Sequence, residues 1–154
     1  MARMIDVGSK PRTQRRATAQ AIVCMNRATL NAVLDNRIVK GDVVSLAQVA
    51  GIMGAKMCPQ MLPLCHPLPL ASADVTVESW HQGDEQGLRV LATASVEGQT
   101  GVEMESLAAC ATAALCIYDM CKSMDPAIRI EQMCLLEKDG GKSGLWQRAL
   151  PQTP

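Results

Sequence analysis

The chain has 154 residues, which is enough for one domain with a substantial core and too few for two. Fifteen basic and fifteen acidic residues cancel, and only two Trp and one Tyr are present, so the chain lacks the positive field and stacking aromatics of a nucleic-acid binder. Seven cysteines without a CxxC pair, a signal peptide or a long apolar span predict a cytoplasmic protein with reduced thiols, no metal site and no membrane contact.

Residues 1–12 pass through Gly8 and Pro11, which predicts an extended, loosely ordered arm. Apolar and polar residues then alternate from Arg15 to Met25, as in a strand with one buried face. The two arginines at its start, Arg15 and Arg16, fit either a solvated edge or a phosphate contact. Helical spacing of apolar residues predicts a short helix over residues 27–37.

A second helix is predicted from Val43 towards Ala55, with Asp42 as its N-cap. Lys40 and Gly41 directly precede it. Glycine lets the backbone turn sharply there, so Lys40 could stand at a helix entrance, where anions bind. A lone lysine at such a position is more often simply exposed to solvent.

The segment from Pro59 to Pro69 contains four prolines in eleven residues, so it cannot form a regular element. It is nevertheless apolar, whereas exposed loops are usually polar, and something must cover it. Cys65 and His66 lie inside it. A rigidly held imidazole suits a ligand-facing role, and a histidine hydrogen-bonded within a packed loop is an equally good interpretation.

Residues 74–80 and 88–97 alternate in the same way and predict an antiparallel hairpin. Another strand is predicted from Ile128 to residue 136, and a last short one over residues 145–147, before a loosely ordered tail at residues 148–154. The glycine-rich loop between them carries Lys138 and Lys142 and could surround an anion, although it is not a Walker loop. The fold class is therefore α+β, with helices on one face of an antiparallel, ferredoxin-like sheet over residues 1–154.

The longest helical pattern runs from Gly101 to Lys122 and ends before Asp125-Pro126. Apolar residues recur along it at three- and four-residue steps and predict the face that packs on the core: Met104, Leu107, Ala108, Ala111, Leu115 and Tyr118. The helix is therefore predicted to be a central core element.

Polar residues on this helix suggest a second role. Glu105, Thr112 and Asp119 are seven residues apart and share one side, and Lys122 lies one turn beyond Asp119. Glu105 and Asp119 are roughly 21 Å apart along the axis, so one small ligand cannot touch both on a single chain. Either they serve different purposes, or two subunits share a site. Asp119 and Lys122 could equally form an ordinary exposed ion pair.

Six separate stretches together resemble the cyclic pyranopterin monophosphate synthases, the molybdenum cofactor biosynthesis protein C family. They cover nearly the whole chain in the family's order: KGDV at 40–43, AGI with AK at 50–56, LPLCHPL at 62–68, TGVEME at 100–105, YDMCK at 118–122 and GGKSG at 140–144. Residues 57–61 depart from the family's usual run, so the resemblance does not extend to that part of the loop.

The resemblance implies a ferredoxin-like subunit in a homohexamer, a trimer of dimers with active sites at the dimer interfaces. It implies a lyase that converts the small molecule 3′,8-cyclo-7,8-dihydro-GTP to cyclic pyranopterin monophosphate and pyrophosphate without a redox cofactor. By position, the catalytic residues are Lys40, Asp119 and Lys122. The residues expected to hold the substrate are Leu64, Cys65, His66, Glu103, Met104 and Glu105, and Lys138 and Lys142 would neutralise its phosphates.

Two other classes of protein share some of these sequence features. A catalytically silent oligomer that binds a nucleotide or pterin needs phosphate contacts but no acid/base pair, so the retention of Asp119 and Lys122 argues against it. A thiol or metal protein conflicts with the cysteine spacing.

Overall fold

A computed structural model describes residues 1–149 of the chain. The elements in chain order are β1 (Thr13–Cys24), α1 (Arg27–Leu34), α2 (Val43–Lys56), α3 (Cys58–Met61), β2 (Ser72–Gln82), β3 (Glu85–Gly98), α4 (Glu103–Cys121), β4 (Arg129–Asp139) and β5 (Trp146–Gln147). Residues 150–154 of the predicted tail lie outside the described part, and the single-domain reading stays a prediction.

The strands form one antiparallel sheet in the order β2-β3-β1-β4-β5. The hairpin β2–β3 is adjacent in sequence and in space, whereas β1 is inserted between β3 and β4. This order, with helical segments before β2 and before β4, is the split β-α-β arrangement of ferredoxin-like folds. The predicted α+β class and its antiparallel sheet are confirmed.

The alternation of side chains along β1 and β3 shows which face of the sheet the helices cover. Ala19, Ala21 and Val23 of β1 and Val90 and Ala92 of β3 are buried on one face, where they pack with the helices. The side chains toward the helices are mostly small. Small residues let α4 approach the sheet closely, and that closeness fixes the position of α4 relative to the strands.

Helices α2 and α4 lie side by side and run in opposite directions, because the start of α2 meets the end of α4. Asp42 caps α2 as predicted, accepting from Ser45 N at 3.0 Å. Midway along α2, a Cβ on Gly54 would come within 2.0 Å of Thr112 Oγ1 and 2.9 Å of the Ala108 carbonyl oxygen. Only glycine allows the two helices to be this close.

The predicted core face of α4 is wrong. Met104 and Leu115 are 40% and 60% exposed, while the buried positions include Ala109, Ala113 and Ile117 on another side of the helix. The helix is apolar almost all round, so periodicity did not separate the side that packs on the sheet from the side that faces out. The small residues face the sheet, and part of the bulky stripe remains on the surface.

Helix α4 is also long and apolar enough, by length and composition alone, to span a membrane. The sequence prediction that no such span exists was therefore incorrect as stated. Half of the apolar window is buried within the fold, against the sheet and α2, as in the core helix of a folded domain.

The proline-rich segment also differs from its prediction at one end. Residues Cys58–Met61 form a helical turn, α3, although no regular element was expected from Pro59 onward. Proline is tolerated in the first turn of a helix because the N–H it lacks would have no intrahelical acceptor there. From Leu62 to Pro69, the structure contains no helix or strand, as predicted.

Candidate active site

Three predicted residues meet where α2 begins and α4 ends. Lys40 Nζ donates to both Oδ2 and the backbone oxygen of Asp119, each at 2.8 Å, and Lys122 Nζ lies 2.7 Å from Asp119 Oδ1. Lys40 reaches across from the turn before α2, where Gly41 adopts a left-handed φ of 115°. We call this group the lysine–aspartate cluster. The alternative in which Lys40 is a solitary exposed lysine is therefore ruled out.

The cluster is open to solvent: the side chains of Lys40, Asp119 and Lys122 are 47%, 58% and 55% exposed. Hydrogen bonds from Lys122 and Lys40 lower the pKa of Asp119 to about 2. The same contact raises the pKa of Lys122 above its ordinary value. At neutral pH, Asp119 is therefore ionised and Lys122 is held in its protonated form as an ion pair.

The opposite end of α4 borders a cleft of about 520 Å³. Its walls come from the loop that follows α3, from the start of α4 and from the N-terminal arm, and among the lining residues are Leu64, Cys65, His66, Glu103, Met104 and Glu105. All six residues predicted to hold the substrate therefore border one cavity. Part of the apolar loop borders this cleft, and Leu64 is 50% exposed there, so the cover expected for the loop stays a prediction.

The two acids of the cleft have different surroundings. Glu105 is only 4% exposed, and burial, followed by the nearby charge of Glu103, raises the pKa of its carboxyl group. Glu103 is partly exposed and pairs with Lys138 of β4 at 3.0 Å. The charge of Glu103 is thus balanced by an ion pair, whereas burial favours the neutral form of Glu105, which can donate a hydrogen bond.

Lys142 lies outside the cleft, in a neighbouring cavity of about 320 Å³. This basic cavity is bounded by Lys10, Thr13, Arg15 and the glycine-rich loop, whose Gly140 and Gly141 have φ of 104° and 71°. Arg15 is partly buried and donates to the carbonyl oxygens of Gly98 and Gln99. Arg15 is therefore not at a fully solvated edge of the sheet. Its position beside a basic cavity favours the other interpretation, a phosphate contact.

The predicted site residues thus form two groups on one chain. Glu105, Thr112 and Asp119 all face α2 or its ends: Glu105 lies near Cys58, Thr112 against Gly54, and Asp119 against Lys40. About 21 Å of helix separates the first from the last. The structure does not bring the lysine–aspartate cluster and the cleft together within one subunit.

Arg3, Lys10 and Thr100 border the cleft without having been predicted as site residues. Lys10 and Arg3 belong to the arm, which has no periodicity to fix its path, so no sequence pattern could place them. Thr100 immediately precedes the GVEME run and was visible only as part of that motif.

A third polar cluster, Cys24 with Glu85 and Glu131, brings its ligand-type atoms within 4.8 Å of one another. Arg129 donates to both carboxylates, which raises the pKa of Arg129 and lowers the pKa of Glu131. The two acids are therefore already paired, and the arginine ties the β2–β3 turn to the start of β4.

Sequence comparison with known proteins identifies the family of this chain. The model of the MoaC family matches residues 4–141, which spans both groups of site residues. The chain belongs to the MoaC family. A relative from Listeria monocytogenes serotype 4a (strain HCC23), named cyclic pyranopterin monophosphate synthase, is 48% identical over 146 residues, 95% of this chain and 89% of the relative.

Two further relatives of this MoaC chain carry the same name. That of Rhodospirillum rubrum is 49% identical over 143 residues, 93% of this chain and 85% of the relative. That of Chloroflexus aurantiacus is 48% identical over 147 residues, 96% of this chain and 89% of the relative. The resemblance inferred from the six motifs is confirmed.

Proposed function

We propose that this MoaC chain is a cyclic pyranopterin monophosphate synthase, a phosphorus–oxygen lyase of molybdenum cofactor biosynthesis. It converts 3′,8-cyclo-7,8-dihydro-GTP to cyclic pyranopterin monophosphate with release of pyrophosphate. The family supplies the reaction, and the observation in this chain that supports it best is Asp119 held between Lys40 and Lys122. A binding protein has no need of such an acid/base group.

Lys122 acts as the residue that transfers protons while ring bonds of the substrate break and re-form. Asp119 orients its ammonium group and, through their hydrogen bond, keeps its pKa high. A raised pKa makes the Lys122 ammonium a weaker acid than an ordinary lysine, and it leaves almost none of the free amine that could accept a proton. Proton transfer by Lys122 therefore requires that the substrate or a second subunit weaken its contact with Asp119 or desolvate it, which lowers its pKa.

The cleft residues bind the pterin and sugar. Backbone and side-chain groups at Leu64, Cys65, His66 and Met104 shape the pocket, and Glu103 and Glu105 offer hydrogen bonds to ring nitrogens. Lys138 and Lys142 neutralise phosphates, together with Lys40. Because burial favours the neutral form of Glu105, this residue can donate a hydrogen bond to the substrate as well as accept one.

One complete site is made from two subunits, the cleft of one and the lysine–aspartate cluster of the other, in a homohexamer built as a trimer of dimers. The separation of the two groups on α4 supports sharing, because a small substrate cannot span it. An apolar groove of about 260 Å³ beside α4 supports association. Its lining includes Met61, Met104, Leu115 and Met133, which are 44%, 40%, 60% and 50% exposed.

Charged substitution in that groove tests the assembly. Leu115→Asp should shift the protein from hexamer to smaller species in sedimentation velocity, since a carboxylate would be desolvated at the interface. Leu34→Asp is the matched control, because Leu34 is 55% exposed at the end of α1 and does not line the groove. A hexamer that persists with Leu115→Asp would contradict this interface.

Anaerobic incubation of the purified protein with 3′,8-cyclo-7,8-dihydro-GTP tests the activity, by measurement of pyrophosphate and of the pterin formed on oxidation of the product. Both products should appear over many turnovers. Binding of the substrate without pyrophosphate would instead support the silent binder. The seven unbonded cysteines suit a reducing compartment, and we place the reaction in the cytoplasm.

A further inference from the structure

The N-terminal arm forms one wall of the cleft. Arg3, Ile5, Val7 and Lys10 line it opposite the loop residues and the start of α4. The arm contains no helix or strand before β1 begins at Thr13. Its position therefore depends on a few individual hydrogen bonds, and any residue that supplies them controls one side of the substrate cavity.

Gln99 supplies two of these bonds. Its side-chain Nε2 donates to the backbone oxygens of Gly8 and Lys10, at 3.1 and 3.0 Å. The arm is already folded into a tight turn at this point, since Lys10 N donates to Val7 O at 3.0 Å and Gly8 N to Asp6 Oδ1 at 2.8 Å. Gln99 therefore holds a preformed turn and not a loose strand.

Gln99 is itself fixed from the other side. Arg15 Nη2 donates to the Gln99 backbone oxygen at 3.2 Å, and the next residue, Thr100, borders the cleft. The amide side chain thus projects from a restrained backbone between the sheet and α4. It does not line the cleft, so its influence on a bound ligand passes through the arm.

The turn held by Gln99 places Lys10 between two cavities, because Lys10 borders both the cleft and the basic cavity. Arg15 and Lys142 also border the basic cavity, and the Thr13 hydroxyl there is buried without a hydrogen-bond partner among residues 1–149. Three cations and an unpaired hydroxyl suit an anion. On the cleft side, Glu103 is paired with Lys138 and burial raises the pKa of Glu105, so these two acids suit the uncharged ring system and not a phosphate.

We propose that Gln99 is a positioning residue that holds the arm so that Lys10 and Arg3 contact the phosphate chain of the substrate as it runs from the cleft into the basic cavity. The identity of the phosphate-bearing ligand rests on the proposed function. Binding of a phosphate chain by the arm does not rest on the proposed function, and inorganic pyrophosphate can test that binding separately.

Calorimetric titration with inorganic pyrophosphate is the direct test. Gln99→Ala should weaken binding by about tenfold, as expected when one charge-assisted contact is lost. Lys10→Ala should weaken it at least as much. Gln82→Ala is the matched control, since Gln82 is an exposed amide at the other end of the hairpin, and it should bind pyrophosphate like the wild type.

Gln99→Lys separates positioning from a general loss of structure, because an ammonium group can also donate to the two carbonyl oxygens of the arm. It should restore pyrophosphate binding that Gln99→Ala loses. In turnover assays, Gln99→Ala should raise KM by about tenfold with kcat nearly unchanged, because the lysine–aspartate cluster is untouched. The thermal unfolding midpoint should stay at the wild-type value, since the bonds involved are on the surface.

The outcomes are distinct. Wild-type affinity for pyrophosphate in Gln99→Ala, or an equal loss in Gln82→Ala, would overturn the role of Gln99. The wild-type protein could also bind pyrophosphate in a Gln99-dependent way without turning over the substrate. That result would support phosphate binding by the arm and contradict the synthase assignment. A fall in kcat at unchanged KM would place Gln99 outside phosphate binding and overturn the inference.

Discussion

The two ends of α4 carry the two halves of the candidate site, and they are built differently. At the N-terminal end, Glu105 is almost fully buried and the surrounding cleft has walls from three parts of the chain. At the C-terminal end, Asp119 and its two lysines are about half exposed on an open surface. One end encloses a cavity, whereas the other presents charged groups to water.

If the site is shared as proposed, the two halves depend on the second subunit to different degrees. On an open surface, the attraction within a lysine–carboxylate pair is screened by water and salt. Catalytic proton transfer gains most when water is excluded and charges are fixed around the reacting atoms. In the proposed shared site, a partner's cleft would cover the lysine–aspartate cluster, whose side chains are otherwise exposed to water.

The largest effect is expected from Lys122→Ala. Removal of a positioned acid/base group should lower kcat by about a thousandfold, within the range measured for general acid–base catalysis. Pyrophosphate release from 3′,8-cyclo-7,8-dihydro-GTP is the measurement. Lys56→Ala is the matched control, since Lys56 is an exposed lysine in the last turn of α2. Near-normal turnover by Lys122→Ala in an intact oligomer would remove Lys122 from the mechanism.

Mixed subunits test whether the two ends act in one site. Lys122→Ala and His66→Ala, each nearly inactive, should recover about a quarter of wild-type activity after equal mixing, because half of the dimers are then mixed and each has one intact site of two. Lys122→Ala mixed with Lys40→Ala is the control. Both lysines pair with the same Asp119, so this mixture should stay inactive. Recovery in the control, or none in the first mixture, would contradict a shared site.

The strands and the helix cap were predictable from the residues themselves, whereas the substrate-binding residues of the cleft were predictable from the family resemblance. The strands followed from alternation, the Asp42 cap from the residue type before a helix, and cleft residues 64–66 and 103–105 from the matched motifs. The core face of α4 was not predictable, because Leu115 and Met104 are as apolar as core residues and hydropathy does not distinguish burial within a subunit from burial between subunits. The contact of Lys40 with Asp119 joins residues 79 positions apart, a pairing that depends on the antiparallel packing of α2 and α4.

Gly54→Ala tests whether the close packing of α2 on α4 requires a glycine at this position. The methyl group gains about 1 kcal/mol in helix propensity, but it meets Thr112 Oγ1 at 2.0 Å and the Ala108 backbone oxygen at 2.9 Å. We expect a net loss of about 1–3 kcal/mol in the free energy of unfolding, as for other overpacked sites. Denaturant unfolding measures it. Val49→Ala, at an exposed position of α2, is the control and should not be destabilised comparably.

The smallest effect concerns the proton on Glu105, and its sign follows from burial. Burial raises the folded-state pKa above the ordinary value of 4.5, so ionisation costs more in the folded protein than in the unfolded chain. Below 4.5, both states hold the proton and no cost arises. As the pH rises through 4.5 towards the raised pKa, the unfolded state gains by ionising and the wild type loses stability relative to a variant that cannot ionise.

Glu105→Gln should therefore unfold at nearly the wild-type temperature at pH 4 and at a higher temperature at pH 7.5. We expect the Tm of Glu105→Gln to exceed the wild-type Tm at the higher pH, where each 1 kcal/mol gained would appear as about 2–4 °C in a protein of this size. Glu97→Gln, at an exposed position of β3, is the control and should follow the wild type at both pH values. A Glu105→Gln variant that becomes less stable than the wild type as the pH rises would contradict this sign. It would mean that a cation stabilises the ionised Glu105 carboxylate in the cleft. The N-terminal end of α4 would then hold an anion, as its C-terminal end holds the Asp119 carboxylate.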